Sequence, residues 1–301
     1  MPNWNQVLEE LNREASTSPL DRVRRKYLSS LSIYLKRNVI AYYSGWIQKP
    51  GVDSAGINDN DMNGLMAAVH QLDKKKGLDL ILHTPGGNLA TIESIVDYLR
   101  KIFGRDIRAF VPQIAYSAGT MWALSCREII MGKHSFLGPI DPQFNRISAE
   151  AVKEEFERAM KETKEDPSRI LIWKEIIKKY HPTFIGDCEK AIEWSKEIVQ
   201  KWLETNMFSD KPTCTEDAKK VVERFSSHKE TKAHNRQIPS VDCKSVGLNI
   251  VDLEADSKLQ DLLLTVHHAF MHTFSSTSAI KIIENHEGKA LVSFHSVQLK
   301  R

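Results

Sequence analysis

Between residues 38 and about 145, short apolar runs alternate with segments of helical periodicity. Four runs have the length and composition of strands: NVIAYYSGW, LDLILHT, IRAFVP and EIIMG. The segments INDNDMNGLMAAVHQL and TIESIVDYLRKIF instead place apolar residues three and four positions apart, which predicts helices. Because strands that alternate with helices usually build a mostly parallel sheet, the pattern predicts an α/β fold.

The chain on either side of this region is predicted to be mostly helical. Residues 1–37 form an N-terminal helical extension whose basic cluster we interpret as a solvated face. In residues 146–301 helices predominate, among them KLQDLLLTVHHAFMHTF. The Lys- and Glu-rich stretch 150–180 is predicted to be a lid or an oligomer arm.

Composition, charge and cysteine spacing exclude several classes of protein. The 301 residues, 41% of them hydrophobic, are enough for a substantial core. Lys+Arg 42 against Asp+Glu 39 leaves a formal charge of +3, so we expect no nucleic-acid partner. The four cysteines include no close pair, which argues against disulfides and zinc knuckles and fits a reducing cytoplasm. No apolar stretch approaches the ~18 residues of a membrane span, so we expect a cytoplasmic protein without an anchor.

Two loops that follow successive predicted strands carry the candidate chemistry. LDLILHT leads into Pro85-Gly86-Gly87, and IRAFVP leads into QIAYSAGT, which places Ser117 at the start of a predicted helix. In a parallel sheet the carboxyl ends of the strands meet at one edge, where functional groups gather. Glycine leaves backbone N–H groups accessible, and a helix start favours negative charge. The two loops therefore predict a serine nucleophile whose oxyanion is held by the amides of Gly87 and Ala118.

Other interpretations of each loop are open. A Pro-Gly-Gly turn often serves packing alone, and a serine at a helix start is often an N-cap. Residues 115–119 also match a degenerate nucleophile elbow, with Ala115 in place of the first glycine, so an α/β-hydrolase is an alternative. The spacing of the loops weakens that alternative, as does a C-terminal region in which we expect no late strand to carry Asp and then His.

Three motifs, TPGG, YSAGT and LGPIDPQ, stand in order at suitable spacing between residues 57 and 145. Together they resemble the serine dehydrogenase proteinase family, which is related to signal peptide peptidase A and the Clp protease proteolytic subunit in the ClpP/crotonase superfamily. The resemblance implies a spiral of ββα units over residues 38–253, followed by a helical C-terminal extension, 254–301. It also implies serine peptidase activity, a homo-oligomer and no cofactor.

Carried over by position, the resemblance makes Ser117 the nucleophile and Gly87 and Ala118 the oxyanion donors. The general base stays open. Where the Clp subunit has a histidine, this sequence has Asp141. Signal peptide peptidase A uses a lysine, for which Lys190 and Lys174 are candidates. His234 is a third option, because a histidine titrates in the useful range and Asp141 could orient it.

The remaining histidines are given structural roles. His83 stands beside the predicted oxyanion turn, and we expect it to hydrogen-bond that loop. His268 and His272 are four residues apart on a predicted helix, but Ala269 replaces the glutamate of the HExxH pattern, so no metal is predicted in the His267–His272 segment.

The sequence thus predicts a cytoplasmic serine endopeptidase that cleaves polypeptides through an acyl-enzyme at Ser117. Two alternatives are retained. The first is a non-catalytic interaction protein that keeps the peptidase fold, which the missing Clp-type histidine favours. The second is a crotonase-like acyl-CoA enzyme.

Overall fold

The computed structural model describes residues 4–14, 18–144, 147–227 and 233–295. Within these ranges the strands are Asn38–Ser44 (β1), Leu78–His83 (β2), Ile107–Val111 (β3), Ile114–Ala115 (β4), Glu128–Met131 (β5), Phe136–Leu137 (β6), Gln143–Phe144 (β7), Ile147–Ser148 (β8), Ile238–Pro239 (β9), Ile250–Asp252 (β10), Ala279–Asn285 (β11) and Ala290–Phe294 (β12). The α-helices are Trp4–Arg13 (α1), Pro19–Leu35 (α2), Asn60–Val69 (α3), Leu89–Phe103 (α4), Ala118–Leu124 (α5), Ala149–Glu165 (α6), Ile170–Ile177 (α7), Phe184–Thr205 (α8), Cys214–Ser226 (α9), Ser240–Ser245 (α10) and Ser257–Ser276 (α11).

A seven-stranded sheet, counted over the described residues, forms the centre of the molecule in the order β10-β5-β3-β2-β1-β11-β12. The strands from β10 to β1 run parallel, while β11 pairs antiparallel with β1 and β12 antiparallel with β11. Every residue of β1 and β2 is buried, as expected for strands that are covered on both faces.

Alternate residues of β1 belong to two different hydrophobic clusters. Ile40 and Tyr42 point into the larger cluster, which includes residues of α3, α4, α5, α8 and α9. Val39, Ala41 and Tyr43 point into a second cluster formed with α2 and α11. Since successive strand side chains point to opposite faces, the sheet is the middle layer of three.

A second, smaller sheet lies beside the carboxyl end of the main one. It consists of β4, β6 and β9, with β4 parallel to β6 and β9 antiparallel to β6. Thr84, directly after β2, bridges Ala115 of β4 and so joins the two sheets. The amide of Thr84 donates to Ile114 O, and the amide of Tyr116 donates to Thr84 O.

Helices α6 and α8 pack against each other beyond β8. A small cluster of Ala149, Val152, Cys188 and Ile192 lies between them. This region includes the stretch 150–180, for which the roles of lid or oligomer arm stay predictions.

The α/β class predicted from the sequence is confirmed. The C-terminal segment contains the expected helix α11, but the expectation that it supplies no late strand is wrong. β11 and β12 follow that helix and extend the main sheet. The predicted domain boundaries remain predictions, and residues 1–3, 15–17 and 296–301 of the two predicted extensions lie outside the described residues. Across those described residues, no helix combines the length and apolar character needed to cross a membrane.

Candidate active site

Ser117 has a backbone conformation that an L-residue rarely adopts. It directly precedes α5, with φ 51° and ψ −120°. Lys36 and Gln71 are the other non-glycine residues with positive φ in the described part of the chain, and Lys36 has the ordinary left-handed ψ of 33°. Strained backbone of this kind clusters at functional sites, because the surrounding structure must hold it in place. Ser117 is only partly buried.

The loop after β2 comes so close to Ser117 that only glycine fits. Gly86 has φ +94°, and a Cβ there would lie 2.7 Å from Ser117 Cβ and 3.1 Å from Ala118 N. Gly87 has φ +155°, and a Cβ there would lie 2.3 Å from both Ile57 N and Ile57 O. The two glycines therefore fix the distance between the Pro-Gly-Gly turn and the start of α5.

Ile57 holds this turn from the side by a short β-bridge. Its amide donates to Gly86 O at 2.7 Å, and its carbonyl accepts from Asn88 N at 2.9 Å. Since backbone groups alternate in direction along an extended segment, the Gly87 N–H points away from Ile57. Among the described residues no acceptor is found for it. Ala118 is the first residue of α5, where the N–H has no partner inside the helix.

Gly87, Ser117 and Ala118 line one cavity of about 320 Å³. Its other walls are largely apolar and come from α4, α5, α8 and the segment after β6. The apolar lining includes Leu89, Met121, Ile140, Phe144 and Trp194. A nucleophile candidate and two available amides thus share a concave, partly apolar site, the usual setting for a substrate.

Asp141 and His234 form a hydrogen-bonded pair beside the cavity. His234 Nδ1 lies 2.7 Å from Asp141 Oδ1, and Asp141 is 1% exposed. Ile140 and Pro142, on either side of Asp141, both line the cavity. The second carboxylate oxygen of Asp141 has no partner among the described residues.

The three-stranded sheet explains why these residues come together. Ser117 follows β4 and Asp141 follows β6, which runs parallel to β4, while His234 precedes the antiparallel β9. All three residues therefore lie at the same edge of this sheet. In addition, Gly138 N donates to Thr120 Oγ1 at 2.9 Å, which ties the segment after β6 to α5.

The structure places both candidate lysines on the protein surface. Lys190 is exposed on α8 and Lys174 is exposed on α7. None of the three candidate bases is among the described residues that line the cavity. His234 differs from the lysines in its bond to Asp141, which connects it to the cavity wall.

His83 does not make the hydrogen bond to the loop that the sequence analysis expected. It is fully buried, and neither ring nitrogen has a partner among the described residues. Its ring packs against Trp46, Tyr43 and His267, with centroids 4.4, 5.4 and 5.2 Å away. Burial lowers the pKa of His83 to about 3. His83 is therefore neutral and enclosed at ordinary pH.

The His267–His272 segment lies mostly inside the molecule. Burial lowers the pKa of His267 well below its usual value, and His272 Nε2 lies 3.1 Å from the carbonyl of Trp4. Nowhere in the described residues do three or more His, Cys, Asp or Glu side chains form a group suited to a metal ion.

A buried ion pair behind the site was missed by the sequence analysis. Lys281 Nζ lies 2.7 Å from Asp61 Oδ1, and both side chains are 1% exposed. The hydroxyl of Tyr42 donates to Asp61 Oδ2 at 2.6 Å. The sequence signal was a lysine within the apolar run AIKII, but nothing in the sequence indicated a partner 220 residues away.

Comparison with known proteins places the chain in a family. Two uncharacterized proteins of Methanocaldococcus jannaschii are similar to the chain. One is 31% identical over 55% of this chain and 59% of its own length, and the other is 27% identical over 69% and 63%. The matches thus cover less than two thirds of either relative. The sequence model of the ClpP-like SDH-type serine proteinases matches residues 54–275, a range that contains Gly87, Ser117, Asp141 and His234. The chain belongs to the family of ClpP-like SDH-type serine proteinases.

Proposed function

We propose that the protein is a serine endopeptidase that cleaves polypeptides through an acyl-enzyme at Ser117. The observation that carries this proposal is the strained backbone of Ser117, at φ 51° and ψ −120°, on a cavity shared with Gly87 and Ala118. A strained backbone at Ser117 is expected if its hydroxyl must point at a bound carbonyl group. A serine that served only as an N-cap would not need this strain. No side-chain cap bond from Ser117 to α5 is formed.

In the proposed reaction, Ser117 Oγ bonds to the carbonyl carbon of the substrate and its proton passes to the imidazole of His234. The electron pair of the C=O bond moves to the oxygen, which accepts hydrogen bonds from the amides of Gly87 and Ala118. Collapse of this intermediate breaks the C–N bond, and the leaving amine takes the proton from the imidazolium. A water molecule, deprotonated by the same imidazole, then bonds to the carbonyl carbon of the ester. The C–O bond to Ser117 breaks, the carboxylic acid product leaves, and the imidazolium returns its proton to Ser117 Oγ.

We assign the base to His234 rather than to a lysine. Asp141 Oδ1 lies 2.7 Å from His234 Nδ1, and no hydrogen bond from another described residue occupies Nε2, which in the proposal accepts the serine proton. A lysine base must be neutral near pH 7, which requires burial, whereas Lys190 and Lys174 are exposed.

A fluorophosphonate probe tests the proposal, because it bonds covalently to an activated serine much faster than to an ordinary one. We expect mass spectrometry to find the label on Ser117 and to find none in S117A. Ser94 supplies a matched control, since it is exposed on α4, is not among the described residues that line the cavity and donates to Ala90 O. S94A should therefore be labelled like the wild type.

Two outcomes would contradict the proposal. The absence of labelling at every pH from 6 to 9 would favour a non-catalytic interaction protein. Turnover of an acyl-CoA thioester that survives S117A would favour a crotonase-like enzyme instead.

A further inference from the structure

Lys281, on β11, places a buried ammonium group behind the Pro-Gly-Gly turn. Its Nζ lies 2.5 Å from Gly56 O, 2.7 Å from Asp61 Oδ1 and 3.0 Å from Asp61 Oδ2. An ammonium has three donors and no acceptor, so these contacts use its full capacity. A buried charge of this kind is costly unless it is paired, and here both charges are paired with each other.

Asp61 holds the same segment from its other end. Its Oδ2 accepts from the amide of Asn58 at 3.0 Å and from the hydroxyl of Tyr42 at 2.6 Å. The backbone is thus fastened on both sides of Ile57, at Gly56 by the ammonium and at Asn58 by the carboxylate.

Ile57 connects the segment 56–58 to the Pro-Gly-Gly turn. Its amide and carbonyl bond Gly86 O and Asn88 N, and it lies so close to Gly87 that no side chain fits there. A Cβ on Gly56 would likewise lie 3.2 Å from Gly86 O. A shift of the segment 56–58 must therefore move the Gly87 amide as well.

We propose that Lys281, together with Asp61 and Tyr42, positions the Gly87 amide that binds the oxyanion. This inference rests on the proposed peptidase function. Lys281 is not among the described residues that line the cavity, so we treat it as a positioning residue and not a catalytic one. It also lies beyond residue 275, where the match to the family ends. The matched range thus does not include the residue that we propose positions the Gly87 amide.

Two variants test the proposal. K281M removes the ammonium while keeping the length of the side chain, and K281M/D61N also removes the buried negative charge that K281M leaves unpaired. The substrate in this test is fluorescently labelled casein. Because a displacement of about 1 Å can cost about 100-fold in rate, we expect kcat to fall 10- to 100-fold in both variants with little change in KM. The double variant should regain thermal stability without regaining kcat. If Lys281 contributed only to stability, the double variant would instead regain both thermal stability and kcat.

A second ion pair on the same strand gives the matched control. Glu284 is fully buried and bonds to Arg24, on the side of the sheet that carries α2. R24M/E284Q should lower stability but leave kcat unchanged.

Hydrogen–deuterium exchange gives a readout that does not depend on catalysis. The peptide that contains residues 84–89 should exchange faster in K281M and in K281M/D61N, but not in R24M/E284Q. If the wild type does not react with a fluorophosphonate, the proposed function fails, and the exchange data still decide whether Lys281 holds the loop. Unchanged exchange and kcat in both Lys281 variants, with a reactive wild type, would overturn the inference alone.

Discussion

Gly86 shows at the scale of one residue how the site depends on a missing side chain. Gly86 and Gly51 both have positive φ, +94° and +85°, but a Cβ at Gly51 would contact nothing within 4 Å. G51A therefore measures the backbone penalty alone, about 1 kcal/mol in the free energy of unfolding. G86A adds a clash at 2.7 Å with Ser117 Cβ, which the backbone of the turn can relieve only by moving.

We expect G86A to lower the free energy of unfolding, measured by urea denaturation, by at least about 2 kcal/mol. We also expect a fluorophosphonate to label G86A at least about 10-fold more slowly than the wild type. G51A should label like the wild type. Equal labelling rates for the two variants would contradict the tight approach of the loops.

His83 makes stability depend on pH in a calculable direction. Its folded pKa of about 3 lies below the usual 6.5, so between these values the unfolded chain binds a proton that the folded protein does not. Acidification below pH 6.5 therefore favours unfolding, by about 2 kcal/mol at pH 5 for this group.

We expect H83F to show a smaller loss of stability between pH 7.5 and pH 5 than the wild type, as measured by urea denaturation. His267 contributes its own loss in both proteins, so the difference between them is the quantity to compare. H181Q, at an exposed histidine, is the control and should follow the wild type. A pH profile unchanged by H83F would contradict the neutral, enclosed state of His83.

At the residue scale, local signals were sufficient to single out the two loops that approach each other at Gly86 and Ser117, but not the ion pair behind them. The role of Ser117 as the nucleophile stays a prediction. Glycines at a turn and a small residue after Ser117 can be recognised within five positions, because the backbone itself requires them. Lys281 and Asp61 cannot, since a charge in an apolar run indicates only that some partner exists.

At the scale of elements, the small sheet of β4, β6 and β9 brings distant residues to one edge. The sequence indicated the strands and helices of residues 38–145 well, because their periodicity is regular. The two-residue strands β4, β6 and β9 are too short for a periodic pattern, so the meeting of Asp141 with His234 could be offered only as one option among three.

The Asp141–His234 pair predicts a non-additive effect of mutation. D141N removes the carboxylate that orients the imidazole, and we expect kcat/KM to fall about 100- to 10,000-fold. H234Q should lower kcat/KM by the same factor or a larger one. Because the two residues act as one unit, D141N/H234Q should be no worse than about H234Q alone.

Asp97 gives a control for this cycle, since its carboxylate forms an exposed pair with Lys101 at 2.5 Å, and D97N should keep full activity. If the loss of kcat/KM in the double variant equals the product of the two single losses, Asp141 and His234 do not act as a unit. Full activity in H234Q would show that His234 is not the general base and would favour Lys190 or Lys174 in that role.

β11 shows why the late strands were missed. Its sequence, AIKIIEN, is buried at every position, so it has no alternation of exposed and buried faces. Its lysine, glutamate and asparagine look like solvent-facing residues, yet each has partners on other elements. The amide of Asn285, for example, donates to Ala68 O at 2.7 Å. Because the strand contains charged residues, its sequence did not indicate that it is buried, and only the tertiary structure shows the partners of these charges.

At the scale of the whole molecule, an ion-pair network joins α2 to β11 of the main sheet. Arg24 of α2 is fully buried, so the interpretation of its basic cluster as a solvated face is wrong for this residue, and it bonds to both carboxylate oxygens of Glu284 on β11. It also donates to Thr273 Oγ1 at 3.2 Å on α11 and to Asp21 at 2.8 Å. Helices from both ends of the chain thus cover one face of the sheet around a single guanidinium group.

R24M should therefore destabilise the protein far more than the loss of a surface pair. It leaves Glu284 buried, with Arg25 Nε at 2.8 Å as its remaining charged partner. Breaking a buried pair costs about 3–5 kcal/mol, and the contact with Arg25 places our expectation at about 3 kcal/mol. K101M, which breaks the exposed pair with Asp97, should cost no more than about 0.5 kcal/mol. Urea denaturation compares the two. A cost for R24M as small as that for K101M would mean that α2 is held by its apolar contacts alone, and that the two ends of the chain are not coupled through Glu284.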